Sequence, residues 1–495
     1  MEKLIEQRKE KLKILEEKKI DPYPTKFTVT HSSENLITEF GFLKNGEKSE
    51  KKVSFAGRII SLREMGRSTF LHLQDSKGKI QVYLREDIVA KENYDLFLKT
   101  IDLADFLGVE GQVFRTKTGE LTILVEKFQI LSKSLRPLPE KWHGLKDVET
   151  RSRQRYLDII VNPEINKIVE TRSKVIRLIR NYLDQKGFLE VETPMLQVLP
   201  GGATAKPFST YHNALGVDLY LRIAPELHLK RLLVAGYEKI YELNKNFRNE
   251  GISTRHNPEF MMLEVYQAYV DYEEMMRISE EMICFLAKEI TGKEEFEYQD
   301  KTISLKLPFQ RVKLSDLFKK YIGIKEDLPD INLAKLAKDL GIELKTDTPE
   351  HKIFDYIFDQ KILPELEVIT SSEPIFVTDY LKKWTPLAKS KKDNSEIVER
   401  FELFIAGEEI ANAYSELNDP REQRKRLEEQ AKAKAKGDEE AMLLDEDFLT
   451  ALEHGMPPAA GLGIGIDRLV MLLTNTSSIR ETIPFPLLRP DTLNR

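Results

Sequence analysis

The chain has 495 residues, 41% of them hydrophobic and 32% charged, and a net charge of −6. That length suits two or three domains with room for a large core, and the charge balance excludes a globally basic nucleic-acid binder, so any RNA contact has to rest on a local patch. The one cysteine, Cys284, excludes an internal disulfide framework and a cysteine-based zinc site, and it reads as a packed small side chain in an apolar helical stretch.

Residues 1–50 read as an N-terminal helical extension. Its first 20 residues form a charged amphipathic helix, with Leu4, Ile5, Leu12, Ile14 and Leu15 as apolar positions. The opening stretch has no apolar signal core, and no run of about twenty apolar residues could span a membrane, so the expectation is a cytoplasmic protein without membrane association. From 51 to 135 the pattern turns to five short alternating strands with a helical piece at 86–99, which suits an OB-type β-barrel. Such barrels bind single-stranded nucleic acid by stacking bases on aromatic rings. Phe70 sits on one of these strands, and from the residues alone it also fits barrel core. Residues 136–158, with Pro137 and Pro139 and many charges, read as a linker. Over 159–495 helices and strands follow in irregular order, so the class is α+β, with a mainly helical insertion expected at about 272–370. The charged run 423–442 reads as a solvated helix.

Three stretches of this second part carry chemistry. Residues 237–269 (YEKIYELNKNFRNEGISTRHNPEFMMLEVYQAY) form two strands joined by a polar loop. On the second, Phe260, Glu264 and Tyr266 alternate with Met261, Leu263 and Val265, so one face packs a core and the other presents polar and aromatic groups. Arg248 with an exposed aromatic suits a flat phosphorylated ligand, because a guanidinium forks onto phosphate and a ring stacks on a base. Residues 400–420 (RFELFIAGEEIANAYSELNDP) form a hairpin turning near Gly407, with Glu402 and Glu409 on facing strands able to hold a hard cation through carboxylate oxygens. Asn412, Tyr414 and Glu416 share one face by period two. Glu409 breaks that parity, so a bulge near Ile410 or Ala411 is required if all four serve one pocket. In GLGIGIDRLVMLL, 461–473, a glycine-spaced strand feeds an apolar helix with Arg468 in its first turn, where a cation opposes the helix dipole and calls for an anion; Asp467 stands where it can cap that helix.

The run FRNEG…RHNPEF resembles the second signature motif of the class II aminoacyl-tRNA synthetases, and in this form it resembles the lysyl-tRNA synthetase family, of the bacterial type with an N-terminal OB anticodon-binding domain. GFLEVETPMLQVLPGGATAKPF, 187–208, is similar to the first motif and GLGIGIDRLVMLL to the third. The resemblance implies lysine activation by ATP and transfer to the 3′ end of tRNA(Lys), with Mg²⁺, in a homodimer built on the first motif. It implies that Arg248 bridges the α-phosphate and the amino-acid carboxylate, and that Arg468 meets the γ-phosphate. Glu250, His256, Asn257, Phe260, Glu402 and Glu409 complete the ATP site, Glu402 and Glu409 as metal ligands. Lysine would lie among Gly202, Glu226, Arg248, Glu264, Tyr266, Asn412, Tyr414 and Glu416. Arg63, Phe70 and Gln81 would read the anticodon. One departure stands out: Leu381 follows Tyr380 where the family shows proline, which touches only a local loop. Other readings remain: an aspartyl- or asparaginyl-tRNA synthetase, which the acidic pocket disfavours; an enzyme that lysylates protein, which would lack the barrel; and a non-catalytic RNA-binding paralogue, expected to lose Arg248, Arg468 or the Glu402/Glu409 pair.

Overall fold

The computed structural model describes residues 2–139, 145, 147–345 and 348–490, and it divides into two compact units, 1–146 and 147–495. In the first, helix α1 (Glu2–Glu17) precedes strands β1 (Lys48–Glu64), β2 (Ser68–Gln74) and β3 (Lys79–Arg85), helix α2 (Lys91–Thr100), β4 (Phe106–Arg115) and β5 (Leu121–Ser132). The strands close a barrel in the order β1-β2-β3-β5-β4. Alternation decides the faces. Leu71 and Leu73 of β2 and Val82 and Leu84 of β3 fill the barrel with Phe55, Val109 and Ile123, while the residues between them face out.

The second unit contains helix α3 (Pro163–Gln185), strand β6 (Leu189–Glu190), helix α4 (Glu226–Val234), strands β7 (Lys239–Phe247) and β8 (Glu259–Ala268), and helix α5 (Tyr272–Thr291). Strands β9 (Gln310–Lys313), β10 (Ile375–Thr378), β11 (Arg400–Ile405) and β12 (Glu408–Ser415), helix α6 (Pro420–Ala435), strand β13 (Ala459–Gly465) and helix α7 (Ile466–Leu473) follow. One eight-stranded sheet runs β9-β10-β11-β12-β13-β8-β7-β6, antiparallel through the centre with a parallel pair at each edge. One face is apolar. Leu263, Val265, Phe401, Leu403, Leu462 and Ile464 pack under Val175 and Ile179 of α3, Met275, Met282 and Leu286 of α5 and Leu469 of α7. Burying each such side chain contributes roughly 1.5–3 kcal/mol, enough for this layer to hold a sheet whose other face carries charged groups.

Three expectations change. Helix α5 belongs to the central core and β9 pairs into the sheet, so 272–370 is not one helical insertion; a short hairpin (Glu295–Tyr298 with Lys301–Ser304) also lies there. Composition shows helices but not where they pack. The expected linker, 136–158, falls partly on residues outside those described. From 148 it is helical (Val148–Arg153, then Arg155–Val161), because the buried Arg155 bonds Asp158 and the carbonyls of Arg480 and Pro484. Asp467 does not cap α7. Its carboxylate accepts from Arg172 and from the backbone N–H of Met261 (2.7 Å), locking α7 to α3 and β8.

Candidate active site

Arg248 follows β7, and its backbone N–H donates to the Pro258 carbonyl at 2.9 Å, which closes the loop between β7 and β8. Its guanidinium lies 5.1 Å from the centre of the Phe260 ring. The half-buried Arg248 has no carboxylate within 4 Å among the described residues, and its buried Nε has no acceptor. A desolvated guanidinium without an anion is a place for one. Burial lowers its pKa, against the raising effect of Glu250, Glu409 and Glu264.

Arg468 donates to the Glu409 carbonyl at 2.8 Å and lies 3.4 Å from Oε2 of the same residue, so a carboxylate answers its charge in part. Its other terminal nitrogen is 3.3 Å from His256 Nε2. Arginine only donates, so Nε2 accepts and the imidazole is neutral, with Nδ1 facing Ser253 Oγ at 3.0 Å. Burial first, then the charge of Arg468, lowers the His256 pKa. Arg248, Glu250, His256, Phe260, Glu409 and Arg468 all line one cleft of ≈ 210 Å³, which Asn257 and Asn412 also edge. Asn257 donates to the Glu259 carbonyl at 2.6 Å, and its buried Oδ1 is without a partner.

Glu409 reaches this cleft through a bulge. Leu403 pairs with Ala411 but Phe404 with Glu409, which leaves Ile410 as the extra residue that the parity of 402–416 requires. Ile410 and Ala411 both enter the core, and Glu409 turns to the polar face. Glu402, opposite Asn412, accepts from Tyr380 (2.7 Å) and Arg400 (2.5 Å). Burial pushes Glu402 up to about 7; Arg400 counters this and the Glu409 charge adds to it.

Next to the cleft, on the same face, β8, β12 and β13 build an acidic pocket. Glu264 pairs in register with Gly463, and Tyr266 with Gly461, which pairs with Tyr414 on its other side. The glycines leave room: a β-carbon on Gly461 would stand 2.3 Å from Glu416 Oε1 and 2.5 Å from the Tyr266 ring. Glu226 starts α4, accepts from Tyr414 Oη at 2.6 Å, and its β-carbon lies against Gly202, whose φ is +85°. Glu264, Glu226 and Glu416 are all buried. Burial, then the charges of Glu226 and Glu416, raises Glu264 well above the usual carboxylate range. Burial pushes Glu416 up to about 8, with Lys230 acting against it and Glu226 with it.

Sequence reasoning missed Lys230. Its ammonium is 2.6 Å from Glu226 Oε1 and 2.5 Å from Glu416 Oε2. The i,i+4 spacing from Glu226 on one helix face was the available signal. Asn246, which period two puts on the polar face with Arg248, is fully buried with both amide atoms unpartnered among the described residues, and the reading missed the pair (2.6 Å) between Arg222 and Glu242 of β7.

In the barrel, Arg63, Phe70 and Tyr83 form one cross-strand row, and His72 pairs with Gln81. Phe70 faces out and stacks on Tyr83 at 4.1 Å between ring centres, with an interplanar angle of 12°. It is not barrel core. Thr122 donates to Gln81 Oε1 at 2.8 Å, leaving the amide N–H groups of Gln81 to face outward.

Residues 147–489 match the family model for tRNA synthetases class II (D, K and N), and residues 53–131 match that of the OB-fold nucleic acid binding domain. Lysine–tRNA ligases from three organisms are similar along nearly the whole chain. That of Pelotomaculum thermopropionicum is 52% identical, covering 99% of this chain and 96% of its own. That of Carboxydothermus hydrogenoformans is 51% identical over 99% of both, and that of Moorella thermoacetica 52% identical over 98% and 97%. With a cleft built on the second and third motifs and family matches over both units, the chain belongs to the class II tRNA synthetases of the D, K and N group.

Proposed function

We propose that the chain is an ATP-dependent lysine–tRNA ligase. The observation that carries the reading is a buried pocket with three carboxylates, Glu226, Glu264 and Glu416, beside a cleft holding Arg248, which has no carboxylate within 4 Å among the described residues. Buried carboxylates call for a cationic ligand, and an unpaired guanidinium calls for an anionic one. Lysine bound with its ammonium groups among the acids puts its carboxylate toward Arg248, where the α-phosphate of ATP would also lie. A carboxylate oxygen attacks α-phosphorus, the bond to pyrophosphate breaks, and lysyl-adenylate forms. A ribose hydroxyl of the terminal adenosine of tRNA(Lys) then attacks the carbonyl carbon and AMP leaves. Arg248 and Arg468 act by neutralising charge as it develops, Phe260 and Glu250 hold the adenine, and orientation supplies the rest.

Glu402 and Glu409 fit a hard cation. They offer only oxygen, and the Glu409 charge helps raise the Glu402 carboxyl, which a divalent ion would relieve. No group of three or more metal-ligating side chains exists among the described residues, so Mg²⁺ would complete its shell with phosphate oxygens and water and would supply charge neutralisation. A homodimer is supported by Met195, Leu196, Val198 and Leu199, exposed together in the first motif. No described helix is long and apolar enough to cross a membrane, and we assign the protein to the cytoplasm.

Pyrophosphate exchange across a panel of amino acids tests the reading. Lysine alone should drive it, and exchange driven by aspartate or asparagine would overturn it. Glu416→Gln should raise the KM for lysine by roughly 30-fold or more and move the KM for ATP little, the loss expected when one side of a buried charge pair goes. An equal change in both constants would remove Glu416 from the amino-acid site.

Lysine affinity should depend on pH. The empty pocket holds on Glu416 a proton that an unfolded chain would release near its ordinary range. Stability from this group therefore falls as pH rises toward 8, and over the same window the carboxylate that lysine needs becomes available. The KM for lysine should fall by up to about tenfold per pH unit between roughly pH 6 and 8 and level off above, a one-proton linkage. A flat profile would contradict it.

Phe70→Ala should raise the KM for tRNA in aminoacylation by about 10-fold or more, the worth of one base stacked on an aromatic ring, and leave pyrophosphate exchange unchanged. Charging at native efficiency would place anticodon reading elsewhere than on the Arg63, Phe70 and Gln81 face.

A further inference from the structure

Lys230 is fully buried on the third position after Leu227 in α4, where Leu227, Leu229 and Leu233 pack an apolar cluster. Its ammonium touches Glu226 Oε1 and Glu416 Oε2 and lies 5.6 Å from the centre of the Tyr414 ring. As a stability device this is a poor choice. A buried ion pair gives back in desolvation most of what it gains, and an apolar side chain of similar size would hold α4 at least as well. The arrangement around it points elsewhere. Glu226 Oε1 also accepts from Tyr414 Oη, so that oxygen is fully engaged. Neither buried oxygen of Glu416 has a partner in hydrogen-bond geometry among the described residues; Oε2 is ion-paired to the Lys230 ammonium at 2.5 Å, while Oε1 has no such cation and stands over Gly461, next to the Tyr266 ring. The ion pair with Lys230 therefore draws Oε2 to the ammonium and leaves Oε1 turned toward Gly461.

Charge counting gives this a consequence. Glu226, Glu264 and Glu416 bring three carboxylates, and Lys230 is the one cation paired to them within 4 Å among the described residues. Fully ionised, the pocket keeps two negative charges. A basic amino acid brings two ammonium groups and hands its carboxylate to Arg248. An amino acid with a neutral side chain leaves one buried acid that keeps its proton and gains no ion pair, and an acidic one adds a further negative charge.

Resting on the lysine-ligase reading, we propose that Lys230 is a specificity-determining positioning residue: it clamps Glu226 to Glu416, presents Glu416 Oε1 to the substrate, and trims the pocket to the charge of a diammonium amino acid. The raised pKa of Lys230 agrees, since burial works to lower it and the two carboxylates outweigh burial.

The test uses the full-length chain, its Lys230→Met variant and the double variant Glu226→Gln/Lys230→Met, read by pyrophosphate exchange. Native exchange with lysine is measured first; its absence would defeat the ligase reading itself, whereas native exchange followed by the outcomes below bears on Lys230 alone. Lys230→Met should raise the KM for lysine by roughly 30-fold or more, keep the KM for ATP within about twofold, and move the pH at which lysine KM levels off upward by about one unit, because Glu416 loses its neighbouring cation. The double variant restores the native net charge and should recover at least about fivefold of the lost lysine KM. An unchanged lysine KM in Lys230→Met, ATP and lysine constants rising together, or a double variant no better than the single would overturn the proposal. If Lys230→Met does not fold, the double variant decides: a retained preference for lysine over norleucine supports the assignment, and loss of that preference with the KM for ATP intact overturns it.

Discussion

Replacing Arg248 by alanine should lower the rate of lysine-dependent pyrophosphate exchange by about 10²- to 10³-fold, the largest effect of any single change in the site. The reason is where this guanidinium lies. It sits in the cleft over the Phe260 ring, its buried Nε has no acceptor, and among the described residues no carboxylate lies within 4 Å. Glu250, Glu409 and Glu264 act on it only from a distance, so its hydrogen-bonding and charge are available to an incoming anion and count for more as charge builds on phosphorus and its oxygens. Losing one preorganised donor of this kind typically costs about 3–4 kcal/mol of transition-state stabilisation. Lysine in its place keeps the charge and loses the planar fork, so Arg248→Lys should still fall by about 10²-fold. Stability should move the other way: removing an unpaired, desolvated cation leaves the melting temperature unchanged or higher. A thermal melt run beside the exchange assay checks both halves. Arg248→Ala activity within tenfold of native would show that another group neutralises the phosphate.

Gly461→Ala should raise the KM for lysine by about 100-fold, or about 3 kcal/mol, through one methyl group. The new carbon would stand 2.3 Å from Glu416 Oε1 and 2.5 Å from the Tyr266 ring, and both neighbours are buried and held. Glu416 has its other oxygen on Lys230, and Tyr266 packs against Leu227 and Leu229 of α4 within one cluster. One of them has to leave its place, and the substrate ammonium loses its partner. Gly463→Ala is the control. There the nearest atom is the flexible end of Met262 at 3.1 Å, with Glu264 Oε1 at 3.4 Å, so its lysine KM should move less than about tenfold. Equal effects at the two glycines would mean that general strand disruption, not the position of Glu416, sets lysine affinity.

Much of the second unit was legible because its faces are decided locally. A strand has period two, so Glu264 and Tyr266 had to share a face opposite Leu263 and Val265, and they do. The same arithmetic required the bulge that the register places at Ile410. The barrel strands were readable for the same reason, but the residues alone left Phe70 open between barrel core and a stacking ring, and only the folded alternation of β2 turns it outward. Where the reading went wrong, the deciding contact joins residues far apart in the chain. Asp467 is placed to cap its own helix, and a capping bond would satisfy it; Arg172, 295 positions earlier, takes it instead. Residues 272–370 have helical composition, but only packing under the sheet shows that α5 is core.

Alone, the order of residues determined the two-part α+β architecture, the faces of each strand, and the presence of the arginines, acids and glycines that three motifs bring at fixed spacing. Tertiary structure decided which charges are paired and which are left over: Arg468 shares Glu409, Arg248 has no carboxylate within 4 Å among the described residues, and Lys230 stands between two carboxylates contributed by α4 and by the residue that follows β12. Periodicity fixes direction over a few residues, whereas the energy of a buried charge depends on every group within several ångströms of it, and those groups meet only once the chain has folded.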